Sequence, residues 1–157
     1  MEVKVKKLYD DAVLPTRASE GSAGLDLRAH NADKSNVIVD EKGNEFIAIN
    51  AHQTVKIGTG LSFELPSGTF GAIFARSGLS TKQGLRPANA TGICDSDYTG
   101  EYIVALHNDT DHLQLVKFGD RIAQLIIMEY PSVELIEVEE LTETERGDGG
   151  FGSTGKN

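Results

Sequence analysis

The chain has 157 residues with 39% hydrophobic content, which suits one domain with a single packed core and argues against two. Its 15 Lys and Arg against 24 Asp and Glu give a formal net charge of −9, which repels a phosphate backbone and argues against a nucleic-acid surface. An anionic ligand must therefore be small and must meet a local cluster of cations.

The N-terminal residues contain no apolar segment of the kind found in secretion signals, and the longest apolar run is only five residues, 102–106. This predicts neither secretion nor a membrane span, and we expect a cytoplasmic protein, in a cell or in a virus-infected host. A single cysteine, Cys94, excludes an internal disulfide, and the four histidines lack the spacing of a zinc site.

Short segments of alternating apolar residues run along the chain, and this period of two predicts strands with one buried face. The segments contain Val3 and Val5; Val37 and Val39; Ile47 and Ile49; Val55 and Ile57; Leu61, Phe63 and Leu65; Leu113 and Leu115; and Val133 and Leu135. Turn sequences separate them at a spacing typical of a sandwich or barrel. The pattern predicts an all-β fold.

One short helix is predicted at 77–83, with Ser77 as its N-cap and Gly84 as its stop. It follows an apolar strand and Arg76, so that a guanidinium, a hydroxyl and a helix N-terminus would converge on one anion site. An ordinary capped helix with a surface arginine explains the same residues.

The segment 92–101, GICDSDYTGE, sets two acids beside a tyrosine between two strands. Asp95 or Asp97 could act as a general base toward water, with Tyr98 as a wall of the pocket. A polar hairpin turn has the same composition. Cys94 is interpreted as a small core residue and not as a nucleophile, because no histidine or cation lies near it in the sequence.

Two further segments place polar side chains in apolar strands. Asp26 interrupts AGLDLRA (23–29) on a face that its neighbours would bury, and a buried acid needs a partner or a nearby metal. Arg121 and Gln124 enter the apolar strand of GDRIAQL (119–125).

The tail is rich in glycine after seven acids between residues 134 and 148. It fits a dinucleotide fingerprint at 147–152 and most of a phosphate-binding loop at 150–156, but both motifs need a following helix, for which too few residues remain. The tail is either a solvated flexible segment or a polyphosphate wrap. In the second case Ser153 and Thr154 would donate to oxygens, Arg146 would supply charge and Phe151 a face for a base.

In this order, AGLDLRA (23–29), RSGLS (76–80), GICDSDYTGE (92–101), GDRIAQL (119–125) and RGDGGFGSTG (146–155) resemble the five motifs of trimeric dUTPases. The resemblance implies an antiparallel, jelly-roll-like β-barrel (β-clip) with one short helix and a flexible C-terminal arm. It implies a domain at 1–140 and an arm at 141–157 that closes over a neighbouring subunit's active site. The protein would be a homotrimer with sites at its interfaces.

The resemblance also assigns roles at the base and sugar. Asp95 would be the general base that activates water. Tyr98 would pack under the deoxyribose and exclude a 2′-hydroxyl. Asn89 and the backbone through Gly92 and Ile93 would read the edge of uracil, where polar readout rejects a wrong base strongly.

At the phosphates, Arg76, Ser77 and Gly78 would hold the oxygens, and Gln124 would reach a phosphate or the catalytic water. Asp26 would lie near the metal, acting through water or by steadying its neighbours. Mg²⁺ would be held mainly by the substrate phosphates and waters, as is usual for this ion.

A lid completes the implied site, formed by Arg146, Phe151, Gly152, Ser153 and Thr154. The implied reaction is in-line attack of water on the α-phosphorus of dUTP, giving dUMP and pyrophosphate. It would keep uracil out of DNA and supply dUMP for dTMP synthesis. Two alternatives stay open, a dCTP deaminase of the same fold and a non-catalytic β trimer that binds nucleotide or a regulatory partner.

Overall fold

A computed structural model of the chain describes residues 1–30 and 34–150. The predicted lid residues Phe151, Gly152, Ser153 and Thr154 lie outside them. Within the described residues the elements are β1 (Lys4–Lys7), β2 (Leu25–Arg28), β3 (Val37–Val39), β4 (Glu45–Ile49), β5 (Thr54–Glu64), β6 (Thr69–Phe74), α1 (Ser77–Gln83), β7 (Leu85–Pro87), β8 (Thr91–Cys94), β9 (Glu101–Asn108), β10 (Gln114–Lys117) and β11 (Arg121–Glu129). The predicted all-β fold with one short helix is confirmed.

All strand pairs among these elements are antiparallel, and they form three sheets. The first has the order β1-β5-β9-β7, the second β10-β4-β3, and the third β2-β11-β6-β8. The third sheet carries four of the predicted site residues, Asp26, Gly92, Ile93 and Gln124. Its register places Asp26, Gln124, Phe74 and Thr91 in one row across its four strands.

One apolar core is shared by the three sheets, because every sheet contributes fully buried side chains to it. Its largest members are Tyr102, Leu27, Ile47, Ile49, Ile57, Leu61, Leu85, Leu106, Ile122 and Leu125. The alternation predicted for the central strands is confirmed, since Val55 and Ile57 on β5 point inward while Thr54 and Lys56 are exposed.

The period-two prediction is wrong at the edges and after β11. Val5 on β1 and Val39 on β3 are 38% and 61% exposed, because each belongs to an edge strand with a neighbour on one side only. Val133 and Leu135 lie in no strand, and the described chain has no strand after Glu129. A strand needs a partner strand, and residues 130–150 pair with none among residues 1–30 and 34–150.

The helix spans 77–83 as predicted, and Gly84 ends it in the left-handed conformation (φ 65°). Ser77 as N-cap is wrong, since Arg76 occupies that position with extended backbone (φ −86°, ψ 128°) and no side-chain cap. The Arg76 carbonyl accepts the N–H groups of Leu79 and Ser80, while its guanidinium is bound elsewhere. Among the residues that the structure describes, no helix has the length and apolar character to cross a membrane.

Candidate active site

Asp26 lies at the centre of a charged cluster on the third sheet. Its side chain is 11% exposed; Oδ1 accepts a hydrogen bond from Nε of Arg76 at 2.8 Å, and Oδ2 accepts one from a terminal nitrogen of Arg121 at 3.0 Å. Arg76 also donates to the carbonyl of Arg121 at 3.2 Å. The buried carboxylate therefore has two cationic partners, which fix the direction of the Arg76 guanidinium.

A pocket of about 160 Å³ opens beside this cluster. It is lined by Ala18, Ser22, Gly24, Asp26, Arg76, Ser77, Gly78 and Gln124. Five of these are predicted site residues, so the fold brings together Asp26, Arg76, Ser77, Gly78 and Gln124. A guanidinium beside hydroxyl groups is a donor set suited to phosphate oxygens.

Glycine is required at one wall of this pocket and leaves space at another. A Cβ on Gly24 would lie 3.1 Å from Cβ of Gln124 and would overlap the Gln124 amide oxygen, so a side chain there would displace that amide. The Gln124 amide nitrogen donates to the Ala75 carbonyl at 2.8 Å. Nothing lies within 4 Å of the position of a Cβ on Gly78, which leaves the pocket open on that side.

A second group of predicted residues lies around β8. Asn89, Ile93, Asp95 and Tyr98 are all exposed, and Gly92 is half-buried next to the Asn89 amide. The hairpin alternative for 92–101 is wrong, because β8 pairs with β6 in the third sheet while β9 pairs with β5 and β7 in the first. The segment between them therefore crosses from one sheet to the other and presents its side chains at the boundary.

Arg76 and Asp95 leave the β6–β8 strand pair at opposite ends, whereas Asn89 and Gly92 lie at the Arg76 end, since Thr91 pairs with Phe74 and Gly92 with Ile73. Arg76 follows Phe74, which is paired with Thr91, whereas Asp95 follows Cys94, which is paired with Gly71. At roughly 3.3 Å per residue, the three residues from Gly71 to Phe74 offset Arg76 from Asp95 by about 10 Å along the strand pair. Asp95 and Tyr98 do not line the Arg76 pocket.

Cys94 packs against the core, which confirms its interpretation as a core residue. Burial raises the pKa of its thiol, the Tyr102 hydroxyl opposes that rise, and the charge of Asp95 adds to it. Burial likewise raises the pKa of Tyr102. Neither group is ionised near neutral pH, so neither supplies a nucleophile or base.

Arg146 lies in a local turn, where its Nε atom donates to the Gly149 carbonyl at 2.8 Å. It does not line the pocket at Arg76. A larger hollow of about 570 Å³ lies elsewhere, at the end of β2, lined in part by Tyr9, Arg28 and His30, and it contains none of the predicted site residues. Although this hollow is larger, the fixed guanidinium and the hydroxyl groups, which suit phosphate oxygens, line the smaller pocket.

Arg121 is the participant that the sequence reasoning did not assign to the site. The sequence does contain a feature that indicates it, since Arg121 is a charged residue three positions before Gln124 in an apolar strand. Ser22 and Ala18 had no such signal. They reach the pocket because the 16–24 loop folds back on the sheet, where Thr16 forms a β-bridge with Asp26.

Comparison with known proteins gives a consistent result. A family model described as dUTPase matches residues 10–155. The deoxyuridine 5′-triphosphate nucleotidohydrolase of Hydrogenobaculum sp. is 41% identical over 155 residues and covers 99% of both chains. That of Arabidopsis thaliana is 45% identical over 152 residues, 97% of this chain and 82% of the plant protein. The structure of Staphylococcus bacteriophage 80alpha dUTPase with dUpNHpp has a TM-score of 0.81 and 27% identity, covering 99% of both chains.

An antiparallel β fold with one short helix, and a pocket that sets a fixed guanidinium beside hydroxyls, define the class as an all-β nucleotide hydrolase. The chain belongs to the dUTPase family. Its activity is the hydrolysis of dUTP. This finding confirms the predicted hydrolase and not the deaminase or the non-catalytic alternative.

Proposed function

We propose that this chain hydrolyses dUTP to dUMP and pyrophosphate in a site composed of residues from different subunits of a homotrimer. The observation that carries the proposal is the separation of the Arg76 pocket from Asp95 along the β6–β8 strand pair. Arg76 and Asp95 match motifs of one family, yet they leave this strand pair at opposite ends, and Asp95 does not line the Arg76 pocket. A neighbouring chain supplies the second group.

Arg76, Ser77, Gly78 and Gln124 form the phosphate end of the proposed site. Arg76 enters it with Nε bound to Asp26, so its remaining N–H groups are held in a fixed direction. A preoriented guanidinium stabilises charge on the phosphates without reorganising during the reaction. Asp26 acts here by positioning Arg76.

Asn89, Gly92, Ile93, Asp95 and Tyr98 form the base, sugar and water end. The side chains of Asn89, Ile93, Asp95 and Tyr98 are exposed in the single chain, as is required of groups that meet a neighbour's nucleotide. Asp95 would accept a proton from the attacking water, which then attacks the α-phosphorus in line with the leaving pyrophosphate.

The dUTPase family uses Mg²⁺, and we propose the same cofactor here. The described residues contain no group of three or more His, Cys, Asp or Glu side chains able to hold a metal ion. Both oxygens of Asp26 accept guanidinium hydrogen bonds, so this residue would reach the ion through water. These donors fit an ion held chiefly by substrate phosphates, where it neutralises their charge.

The trimer and the lid are supported by the character of the C-terminal segment. Residues 130–141 lie in no helix or strand and carry exposed apolar side chains, of which Leu135 is 92% and Leu141 87% exposed. Apolar surface of this kind is covered in a stable protein, and a neighbouring subunit is the simplest cover. Beyond it, Arg146 with Phe151, Gly152, Ser153 and Thr154 would close over the bound nucleotide and exclude water.

A pyrophosphate-release assay with dUTP, dCTP, dTTP and UTP tests the proposed reaction. We expect turnover with dUTP and strong discrimination against the other three, with no ammonia released from dCTP. Release of orthophosphate instead of pyrophosphate would contradict attack at the α-phosphorus.

A further inference from the structure

Tyr98 is held in place by the residues that follow it. Its hydroxyl donates to the Glu101 carbonyl at 2.9 Å, and its ring stacks on that of the buried Tyr102 with centroids 6.1 Å apart. A Cβ on Gly100 would lie 2.6 to 2.9 Å from three atoms of the Tyr98 ring and hydroxyl, so the ring rests directly on the glycine. The position of Tyr98 therefore depends on residues 99–102.

Residues 99–102 are held in turn by a bulge in β5. Between Gly58 and Ser62 the β5–β9 register shifts, so that three residues of β5 lie opposite Tyr102 alone. Thr59 Oγ1 donates to the Tyr102 carbonyl at 2.7 Å, and Ser62 Oγ donates to the Thr99 carbonyl at 2.5 Å. The bulge thus replaces ladder hydrogen bonds with side-chain contacts that fix the start of β9.

The third contact of the bulge is made by Glu101. Its carboxylate accepts the backbone N–H of Gly60 at 2.8 Å. The carboxylate lies in a niche formed by Gly58 and Gly60. A Cβ on Gly58 would overlap the carboxylate. Gly60 has a left-handed backbone (φ 68°), and a Cβ there would lie only 2.8 Å from the Cβ of Ala12. Because neither glycine carries a side chain, the bulge admits the carboxylate, which accepts the Gly60 N–H.

We propose that Glu101 is a positioning residue for the selection of deoxyribose. By locking residues 99–102 onto the β5 bulge, it prevents the Tyr98 ring from moving away from the sugar and admitting a 2′-hydroxyl. The inference rests on the proposed role of Tyr98 in the site. Glu101 acts through Tyr98 and the backbone and does not touch the nucleotide.

The test is the ratio of kcat/KM for dUTP to kcat/KM for UTP. Glu101→Ala loses the acceptor, and we expect the ratio to fall by about tenfold or more, because small displacements of positioned groups cost at least that much. Glu101→Gln keeps an oxygen acceptor and is expected to keep the ratio within about threefold of the original protein. Glu64→Ala is the matched control, since this glutamate lies on β5 in an exposed ion pair with Lys4; its ratio is expected to stay unchanged.

Thermal unfolding of each variant separates the proposed role from a structural one, because a loss of stability alone lowers Tm and leaves the ratio unchanged. If Tyr98→Ala lowers the ratio and a folded Glu101→Ala does not, the inference is overturned and the proposed site stands. If Tyr98→Ala leaves the ratio unchanged, the proposed role of Tyr98 itself fails. If Glu101→Ala and Glu101→Gln lower the ratio by equal amounts, the proposed role of Glu101 as a hydrogen-bond acceptor is contradicted.

Should Glu101→Ala not fold, Ser62→Ala provides the second route. This variant removes the adjacent hydrogen bond to Thr99 and leaves the Glu101 carboxylate in its niche. We expect a smaller fall in the same ratio. An unchanged ratio in folded Ser62→Ala would overturn the inference.

Discussion

Arg76 and Asp95 leave the same pair of strands from opposite ends. Arg76 follows β6 at the Phe74–Thr91 pair, and Asp95 follows β8 at the Cys94–Gly71 pair. In one chain, Asp95 does not line the pocket that the Arg76 guanidinium enters. The relationship explains why residues that match a single family's motifs are dispersed over the surface of the monomer.

Replacing Asp95 with asparagine removes the proposed base while keeping the shape of the side chain. We expect kcat for dUTP to fall by about 10²-fold or more with dUTP affinity largely retained, as is typical for the loss of a general base. Steady-state kinetics and calorimetric titration with a non-hydrolysable analogue measure the two quantities. Asp97→Asn is the control, since this exposed neighbour has no role in the proposed reaction. Unchanged turnover in Asp95→Asn would remove the assignment.

Replacing Asp26 with alanine leaves two guanidinium groups without their shared partner. We expect the free energy of unfolding to fall by about 3 kcal/mol, the low end for a broken buried pair, because Arg121 keeps contact with water. Activity should fall as well, since Arg76 loses its orientation. Urea unfolding measures the first effect, and Glu64→Gln, which breaks an exposed pair, should change stability by less than about 1 kcal/mol. Equal stability losses in the two variants would contradict the account of the cluster.

Two truncations separate the proposed roles of the C-terminal segment. Deleting residues from 146 onward should leave a trimer lighter than the 3 × 16.9 = 50.7 kDa of the full-length trimer by three times the twelve deleted residues, but should reduce dUTP turnover by roughly 10²-fold, because the lid is lost. Deleting residues from 131 onward also removes the apolar segment, so this variant should sediment as monomers or dimers instead of a trimer. Sedimentation analysis and circular dichroism distinguish these outcomes. Loss of folding in the shorter deletion would mean that the tail is structural.

The raised pKa of Cys94 predicts a slow reaction with alkylating reagents. A raised pKa lowers the thiolate fraction at any given pH, so the pH at which alkylation becomes fast should lie above that of a free cysteine. Iodoacetamide labelling from pH 7 to 10, followed by mass spectrometry, measures the shift. Rapid labelling at neutral pH would contradict the buried position of the thiol.

The core of the fold and several residues of the Arg76 pocket could be predicted from sequence, because both depend on local patterns. Alternation located the central strands, and a single helical segment with a glycine after it located α1. Asp26 was recognised as an acid that needs a partner. That partner could not be identified, because Arg76 is 50 residues away and the contact depends on the register of β2, β11 and β6.

Sheet membership and edge exposure could not be predicted, since they depend on the whole topology. The segment 92–101 has the composition of a hairpin, and only the pairing of β8 with β6 shows that it crosses between sheets. The bulge of β5 could not be predicted from the sequence either. Gly58 and Gly60 are explained only by their contacts with the Glu101 carboxylate, and Glu101 is 41 residues from Gly60 in the sequence.

Mixing two inactive variants tests most directly whether Arg76 and Asp95 of different chains form one site. Arg76→Ala and Asp95→Asn, each nearly inactive alone, would be unfolded together in urea at a 1:1 ratio, refolded and assayed with dUTP. If the residues come from different chains, about one quarter of the sites (0.5 × 0.5) receive both intact groups, and activity should recover to about that fraction of the original protein. If both residues belong to one chain, no site in the mixture is intact, and activity that stays at the level of the separate variants would contradict the account.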